Sequence, residues 1–415
     1  MAKIDQTTVV RRVIDPAFSC RLSFAFWGRI TILLGMPPAI SPAIRRTQRK
    51  IRANWNDIAF SLTLPLLAVL FALAVGAIIL LLLGVNPLDA YAAMISGAFG
   101  SVQGITQSIA KATPLLLVGL GICIAFRASV INIGAEGQII LGALAATAFS
   151  LAFRTLPDWL LVTLTMIVGF AAGAFWGFIP GILKARFGVN EILSTVMLNV
   201  VAAQILLALL KGPLMDTQGV TAGTFLPQSE QVPGSVWLPR LVPQTLLHTG
   251  AFVAVILAIV VYVFLWRTTI GYRIRAVGLN LDASRYAGIR VSIYQMLALT
   301  LAGGFAGLAG VVEVLGVTHR LLEGITSGYG FSGIVAALFG GLHPLGAIPA
   351  SYLFGSLLVG ADKMQRAMQV PSSLVYVLLG LIVLFVVGSQ YYARKRATRR
   401  ASTTVTTVEE EVATA

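Results

Sequence analysis

Residues 58–85 run "IAFSLTLPLLAVLFALAVGAIILLLLGV" without one charged side chain. No other feature restricts the fold more. A bilayer's hydrocarbon core is about 30 Å thick and is crossed by about 20 helical residues. Inside it every backbone N–H and C=O must be satisfied within the protein, which leaves helices or a closed barrel. An unbroken apolar run of this length reads as a helix. The same pattern recurs along the chain. Hydrophobic residues make up 57% and charged residues only 11%, against about one quarter charged in soluble domains. The expected fold class is all-α, a polytopic membrane protein.

After 58–85, spans are expected near 112–128, 134–153, 159–183, 190–210, 246–266, 291–317, 328–342, 345–361 and 371–390, about ten transmembrane helices in all. The eighth and ninth are the shortest, and His343-Pro344 divides them as a broken or hairpin pair. Residues 22–36 are apolar but short and carry Arg29, and read as an interfacial or poorly ordered extension, with a further span as the alternative.

Lys and Arg set the orientation. With the N-terminus in the cytoplasm, inside segments hold 23 basic residues and outside segments 7, which accounts for all 30. Both termini are then cytoplasmic. This distribution explains the net charge of +14 without nucleic acid. The expected organisation is a basic N-terminal extension (1–57), a transmembrane domain (58–390) and a low-complexity cytoplasmic tail (391–415). Residues 211–245 form an extracellular loop and 267–290 a basic cytoplasmic one. Spans 2–5 begin outside and spans 7–10 inside, the pattern of an inverted pseudo-repeat. Span 3 opens with Gly134-Ala-Glu-Gly137 and span 8 with Gly330-Phe-Ser-Gly333.

Polar side chains interrupt the apolar spans at three places. Asn132, Glu136 and Gln138 stand among Gly134, Gly137 and Gly142. Glu136 is placed at the cytoplasmic entry of span 3, where it either caps a helix start or lines a polar path. Glu191, Thr195 and Asn199 are spaced i, i+4, i+8 and share one stripe of span 5. Asn199 lies about 13 Å past Asn190 at 1.5 Å per residue. It serves either a helix–helix hydrogen bond or a substrate path. Tyr329 and Phe331, beside Ser332, are either a stacking platform for a planar ligand or ordinary interfacial aromatics. In span 7, Gly303 and Gly307 are four apart, as are Ala306 and Gly310, which is a close-packing face without chemistry.

Enzyme motifs are missing. Three histidines far apart and two cysteines make no metal site, and no HExxH or GxSxG occurs. No Lys is followed by Ser or Thr, so the chain contains no Walker A motif. The membrane function is therefore either ion-coupled or driven by an ATPase on another chain. The loop "GYRIRAVGLNLDASRYAGIRVSIYQ" (271–295) offers a short helix capped by Asn280 or Asp282, running through Ala283, Arg285 and Tyr286 and ending at Gly288. It is either a docking surface for a soluble partner or a solvated loop.

Four stretches, "INIGAEGQ" (131–138), "NEILSTVMLN" (190–199), "AVGLNLDASRYAGI" (276–289) and "SGYGFSGIVAALFGGLHPLGA" (327–347), together resemble the permease subunits of simple-sugar and nucleoside ABC importers, with the nucleoside-type branch nearest. The resemblance covers about 58–390. Ile131 departs from the Phe usual before the Asn, and Gly341 from a polar or basic residue. The resemblance implies a type II importer fold in the bacterial plasma membrane. It implies a second permease subunit, identical or similar, a cytoplasmic ABC ATPase that consumes the ATP, and an extracellular substrate-binding lipoprotein. This chain itself would need no cofactor, and its other contact is membrane lipid. On the reading of the polar and aromatic residues above, the candidate translocation-path positions are Asn132, Glu136, Gln138, Glu191, Thr195, Asn199, Tyr329, Phe331 and Ser332. The implied ATPase-coupling positions are Gly278, Asn280, Ala283, Ser284, Arg285, Tyr286, Gly288 and Ile289. Nucleosides are the expected substrates, with pentoses or hexoses as the alternative and an ion-coupled carrier as the outside reading.

Overall fold

The computed structural model describes residues 73–217 and 227–369, with a few further positions at 67–71 and 377–388. The N-terminal extension, most of the last expected span and the C-terminal tail lie outside the described residues.

The regular elements among the described residues are helices, and the only β-pairing among those residues is two isolated bridges, Gln228 with Leu322 and Arg240 with His248. Helix α1 is Leu73–Leu82. There follow α2 (Pro87–Phe99), α3 (Val102–Arg127), α4 (Ala135–Ala152), α5 (Asp158–Phe187), α6 (Glu191–Leu210), α7 (Gly250–Arg267), α8 (Thr269–Leu279), α9 (Leu281–Tyr286), α10 (Val291–Glu313, continued by a π turn to Thr318), α11 (Tyr329–Phe339) and α12 (Pro344–Met368). Seven of these helices are long and apolar enough to cross a membrane: α3, α4, α5, α6, α7, α10 with its extension, and α12.

The charged residues account for most differences from the sequence reading. The second span was expected from 112, yet α3 starts at Val102, where Ser101 caps it by accepting from Gly104 N–H. Lys111 therefore sits inside a helix. It pairs with Asp362 on α12, which likewise continues past the expected end at 361. The charges lie on each other, so neither helix must end before them. Between the first two spans the chain forms α2, with Asn86 as its N-cap and Pro87 at its first turn.

α10 is the core helix, packed on α3, α4 and α5. Its glycines are what allow this. A Cβ on Gly303 would lie 2.3 Å from the Gly173 carbonyl oxygen, and one on Gly310 would lie 2.2 Å from the Ile139 carbonyl oxygen. The small-residue face read from the sequence is thus a seam of backbone against backbone. α6 and α7 are peripheral and expose large apolar residues such as Leu193, Met197, Phe252 and Ile256.

The loop after α6 packs on the end of α10. Ser229 N–H donates to the Leu321 carbonyl, Val232 N–H to that of His319 and Leu238 N–H to that of Leu315. His343-Pro344 divides α11 from α12 as the sequence reading expects, with Pro344 at the first position of α12.

Candidate functional site

The chain does not pass directly from α3 into α4. Residues 128–134 form a non-helical segment whose side chains alternate between buried and exposed as far as Asn132, and it turns at Ser129, whose φ of 57° lies in the left-handed region. Ala128, Val130 and Asn132 are each at most 1% exposed. Irregular backbone can sit inside a membrane bundle only where protein or enclosed water satisfies it, and here side-chain amides do so. Asn132 Oδ1 accepts from Gly134 N–H at 3.0 Å. Asn132 Nδ2 donates to Gln138 Oε1 at 2.9 Å, and Gln138 Nε2 donates back to Asn132 Oδ1 at 3.2 Å. Asn199, on α6, reaches across with both ends of its amide: Nδ2 donates to the Ile133 carbonyl at 2.9 Å and Oδ1 accepts from Gly137 N–H at 2.8 Å.

These contacts locate the start of α4. It lies level with Asn199, nine residues and about 13 Å into α6. The opposite wall agrees. Gly333 of α11 fits against Val118 of α3, where an added Cβ would come within 2.5 Å of the valine side chain, and Val118 is again nine residues before Arg127. The sequence reading put Glu136 at the entry of its span. The structure places it inside the bundle, because the non-helical 128–134 segment carries the chain inward before α4 begins.

Glu136 faces the start of α11. Its Oε1 accepts from Gly330 N–H at 2.9 Å and from Phe331 N–H at 3.3 Å. These are two of the first four N–H groups of α11, which have no partner within their own helix. A carboxylate also complements the positive end of the helix dipole. The two glycine motifs singled out in the sequence therefore meet. A Cβ on Gly330 would lie 2.6 Å from Glu136 N and 3.0 Å from the Ala135 carbonyl carbon, so only glycine admits this approach.

The i, i+4, i+8 stripe of α6 is a packed seam against this junction. Thr195 is fully buried, donates to the Glu191 carbonyl at 2.7 Å and contacts the Gly134 position. Glu191 pairs with Lys184 of α5 at 2.8 Å, a partner the sequence reading missed. Of the three residues at the start of α11, Tyr329 is buried, Ser332 is half-buried and Phe331 is 52% exposed. The structure thus gathers Asn132, Glu136, Gln138, Thr195 and Asn199 into one cluster. Glu191 lies at its rim, and only Phe331 of the named positions offers an open face.

The 267–290 loop is a separate site. α9 starts at Asn280, whose Oδ1 accepts from Asp282 N–H and Ala283 N–H, both at 3.0 Å. It closes at Gly288, with φ 78° and an Ile289 N–H bond to the Ser284 carbonyl at 2.9 Å. Both the cap and the stop follow the sequence reading. Asn280, Ala283, Arg285, Tyr286 and Gly288 are exposed, Tyr286 at 93%. Ser284 is only 4% exposed, because its side of α9 turns into the protein. Gly278 and Ile289 are half-buried.

Residues 104–387 match the family described as branched-chain amino acid transport system / permease component. The guanosine ABC transporter permease protein NupP of Bacillus subtilis (strain 168) is 38% identical over 79% of this chain and 93% of its own length. The glucose ABC transporter permease protein TsgB13 of Haloferax volcanii is 36% identical over 80% of this chain and 88% of its own. The nucleoside ABC transporter permease protein NupB of Lactococcus lactis subsp. cremoris is 34% identical over 80% and 92%. No solved structure matches this chain.

Proposed function

This chain belongs to the family of branched-chain amino acid transport system permease components, and from that premise we propose that it forms the membrane path of a nucleoside ABC importer. The observation that carries the substrate class is the 38% identity to a guanosine permease across nearly all of that protein's length. A separate ATPase supplies the energy, as the lack of any Walker A motif requires of an ATP-driven machine. Its docking surface is the outward side of α9: Asn280, Ala283, Arg285 and Tyr286, with Gly278, Gly288 and Ile289 shaping the ends. A second permease subunit and a substrate-binding protein on the outer face complete the assembly, and both termini face the cytoplasm.

In this reading the polar cluster acts on the backbone, and the path runs beside it. Asn132, Gln138 and Asn199 hold α4 at an internal starting point, and Glu136 holds the end of α11 against it. Thr195 and Glu191 keep α6 in register. Phe331, on the open side of that junction, and the half-buried Ser332 beside it border the path, and the Phe331 ring suits a planar base. Tyr329 supports them from within. Separating Glu136 from Gly330 and Phe331 would free α11 to move as a unit, which is the kind of two-position element alternating access needs.

The 36% identity to a glucose permease supports sugars as the second reading. Uptake of labelled guanosine, uridine and glucose into cells expressing this chain with its binding protein and ATPase separates the two. Nucleoside uptake that disappears when the Walker lysine of the ATPase is replaced is the expected result. Glucose uptake with the same dependence establishes the second reading, and uptake indifferent to the ATPase rejects both.

A further inference from the structure

At the Arg127 end of the bundle a cavity of about 280 Å³ opens between α3, α8 and the α11–α12 turn. Arg127 and Arg275 line it, together with Gly278, Leu279, Phe126 and Leu342. The two guanidiniums lie on one aromatic ring, with Cζ at 5.2 Å and 5.4 Å from the centre of Trp266. Among the described residues neither takes part in an ion pair. Arg127 spends Nε and Nη2 on the Leu342 carbonyl, at 3.3 and 3.2 Å. Arg275 Nε is buried with no hydrogen-bond partner among the described residues.

No acidic side chain among the described residues balances these two charges. Two like charges on one ring repel each other, and a buried guanidinium N–H without an acceptor carries a desolvation cost. The cation–π contacts with Trp266 hold both guanidiniums beside the cavity. Guanidinium forks match tetrahedral oxyanions through paired N–H···O bonds, and phosphate in particular. The remaining walls are apolar. Leu279 is 88% exposed at the cavity, a surface suited to the glycerol and first acyl carbons of a lipid. By the distribution of Lys and Arg this end faces the cytoplasm, where basic pockets between helices meet anionic headgroups.

We propose that Arg127 and Arg275 form a phosphate-type oxyanion site, filled by an anionic phospholipid headgroup or by free phosphate. The site abuts the loop that carries α9. A Cβ on Gly278 would come within 2.0 Å of the Arg127 carbonyl oxygen, so an anion held here would tie α3 to the segment entering α9. Binding can be read without transport, so this inference stands or falls apart from the substrate assignment.

The test uses the complete transporter with its ATPase. In nanodiscs of phosphatidylcholine doped with phosphatidylglycerol, lipids retained per complex are counted by native mass spectrometry. Wild type is expected to retain phosphatidylglycerol preferentially. Arg275→Gln is expected to lose about tenfold of that preference, as for one charge-assisted pair, and Arg275→Lys to keep most of it. In phosphatidylcholine alone, inorganic phosphate is titrated against the melting temperature. A rise in wild type that is missing in Arg275→Gln identifies free phosphate as the occupant. Arg127→Gln should behave like Arg275→Gln. If loss of its Leu342 bonds prevents folding, Arg275→Gln decides alone. Equal phosphatidylglycerol retention in wild type and Arg275→Gln, with no phosphate effect on melting, overturns the proposal.

Discussion

Glu136 Oε1 accepts the backbone N–H of Gly330 at 2.9 Å, across 194 residues of sequence. One carboxylate thereby joins the starts of two helices, α4 and α11, that the sequence offers only as similar glycine motifs. Glu136→Gln keeps an acceptor and removes the charge. It is expected to lower stability by about 1 kcal/mol, the size of a lost charge–dipole term at a helix start. Glu136→Ala removes the cap and is expected to cost about 2 kcal/mol, near the top of the capping range. Thermal unfolding of the purified protein checks the order wild type, Gln, Ala. If Ala matches wild type, the cap has no energetic role.

Asn199 bonds a carbonyl and an N–H on the same neighbouring segment. Asn199→Leu strands both and is expected to cost about 2–4 kcal/mol, since each buried unpaired group costs about 1–3. Asn199→Asp keeps the acceptor toward Gly137 and loses the donor toward Ile133, so it should fall between. Membrane-inserted yield and melting temperature provide the measure. Equal effects of Leu and Asp would mean that the Gly137 bond contributes nothing.

Gly173→Ala places a methyl 2.3 Å from the Gly303 carbonyl oxygen, where only backbone could give way. It is expected to cost about 3 kcal/mol or more through forced separation of α5 and α10. Gly234→Ala, with nothing within 4 Å of its Cβ position, is the control and should stay within about 0.5 kcal/mol. Comparable yields for the two variants would contradict the backbone seam.

Tyr286→Ala and Arg285→Ala alter an exposed helix. Arg285 holds only a surface ion pair with Asp282, at 3.1 Å and with both side chains more than half exposed. Stability should change by less than about 0.5 kcal/mol. ATP-driven uptake is expected to fall about tenfold or more, as when a docking anchor is truncated. Folded variants that transport normally would remove α9 from the docking surface.

His248 lies in the loop just before α7, fully buried against Gly316. Burial, and secondarily the charge of His319, push its imidazole down to about 4. His319 stacks on Trp237 at 4.0 Å and is also lowered, first by burial and then by Arg240. Both groups bind protons more weakly when folded than when unfolded. Their contribution is therefore complete above the unfolded value near 6.5 and is lost as pH falls through the lowered folded values, about 4 for His248. The melting temperature should drop across that window, with a loss of about 3 kcal/mol from His248 at about 1.4 kcal/mol per pKa unit. His248→Gln should flatten the slope. An unchanged slope in that variant would assign the pH dependence elsewhere.

Local features were legible in the sequence. The short helix α9, its Asn280 cap and its Gly288 stop depend on residues within one turn of each other, so spacing alone determines them. The apolar spans and the Gly303–Gly310 face are equally local, being periodic patterns that a helix presents whatever its neighbours. The interior of the bundle was not legible. That Lys111 could lie within a helix depended on Asp362, and the depth of Glu136 on a non-helical segment whose backbone Asn199 satisfies from another helix. Hydropathy marks which residues leave water but carries no record of where along a buried chain a helix starts. That point is decided by which polar groups find partners, and in a medium without water those partners come from elements distant in sequence.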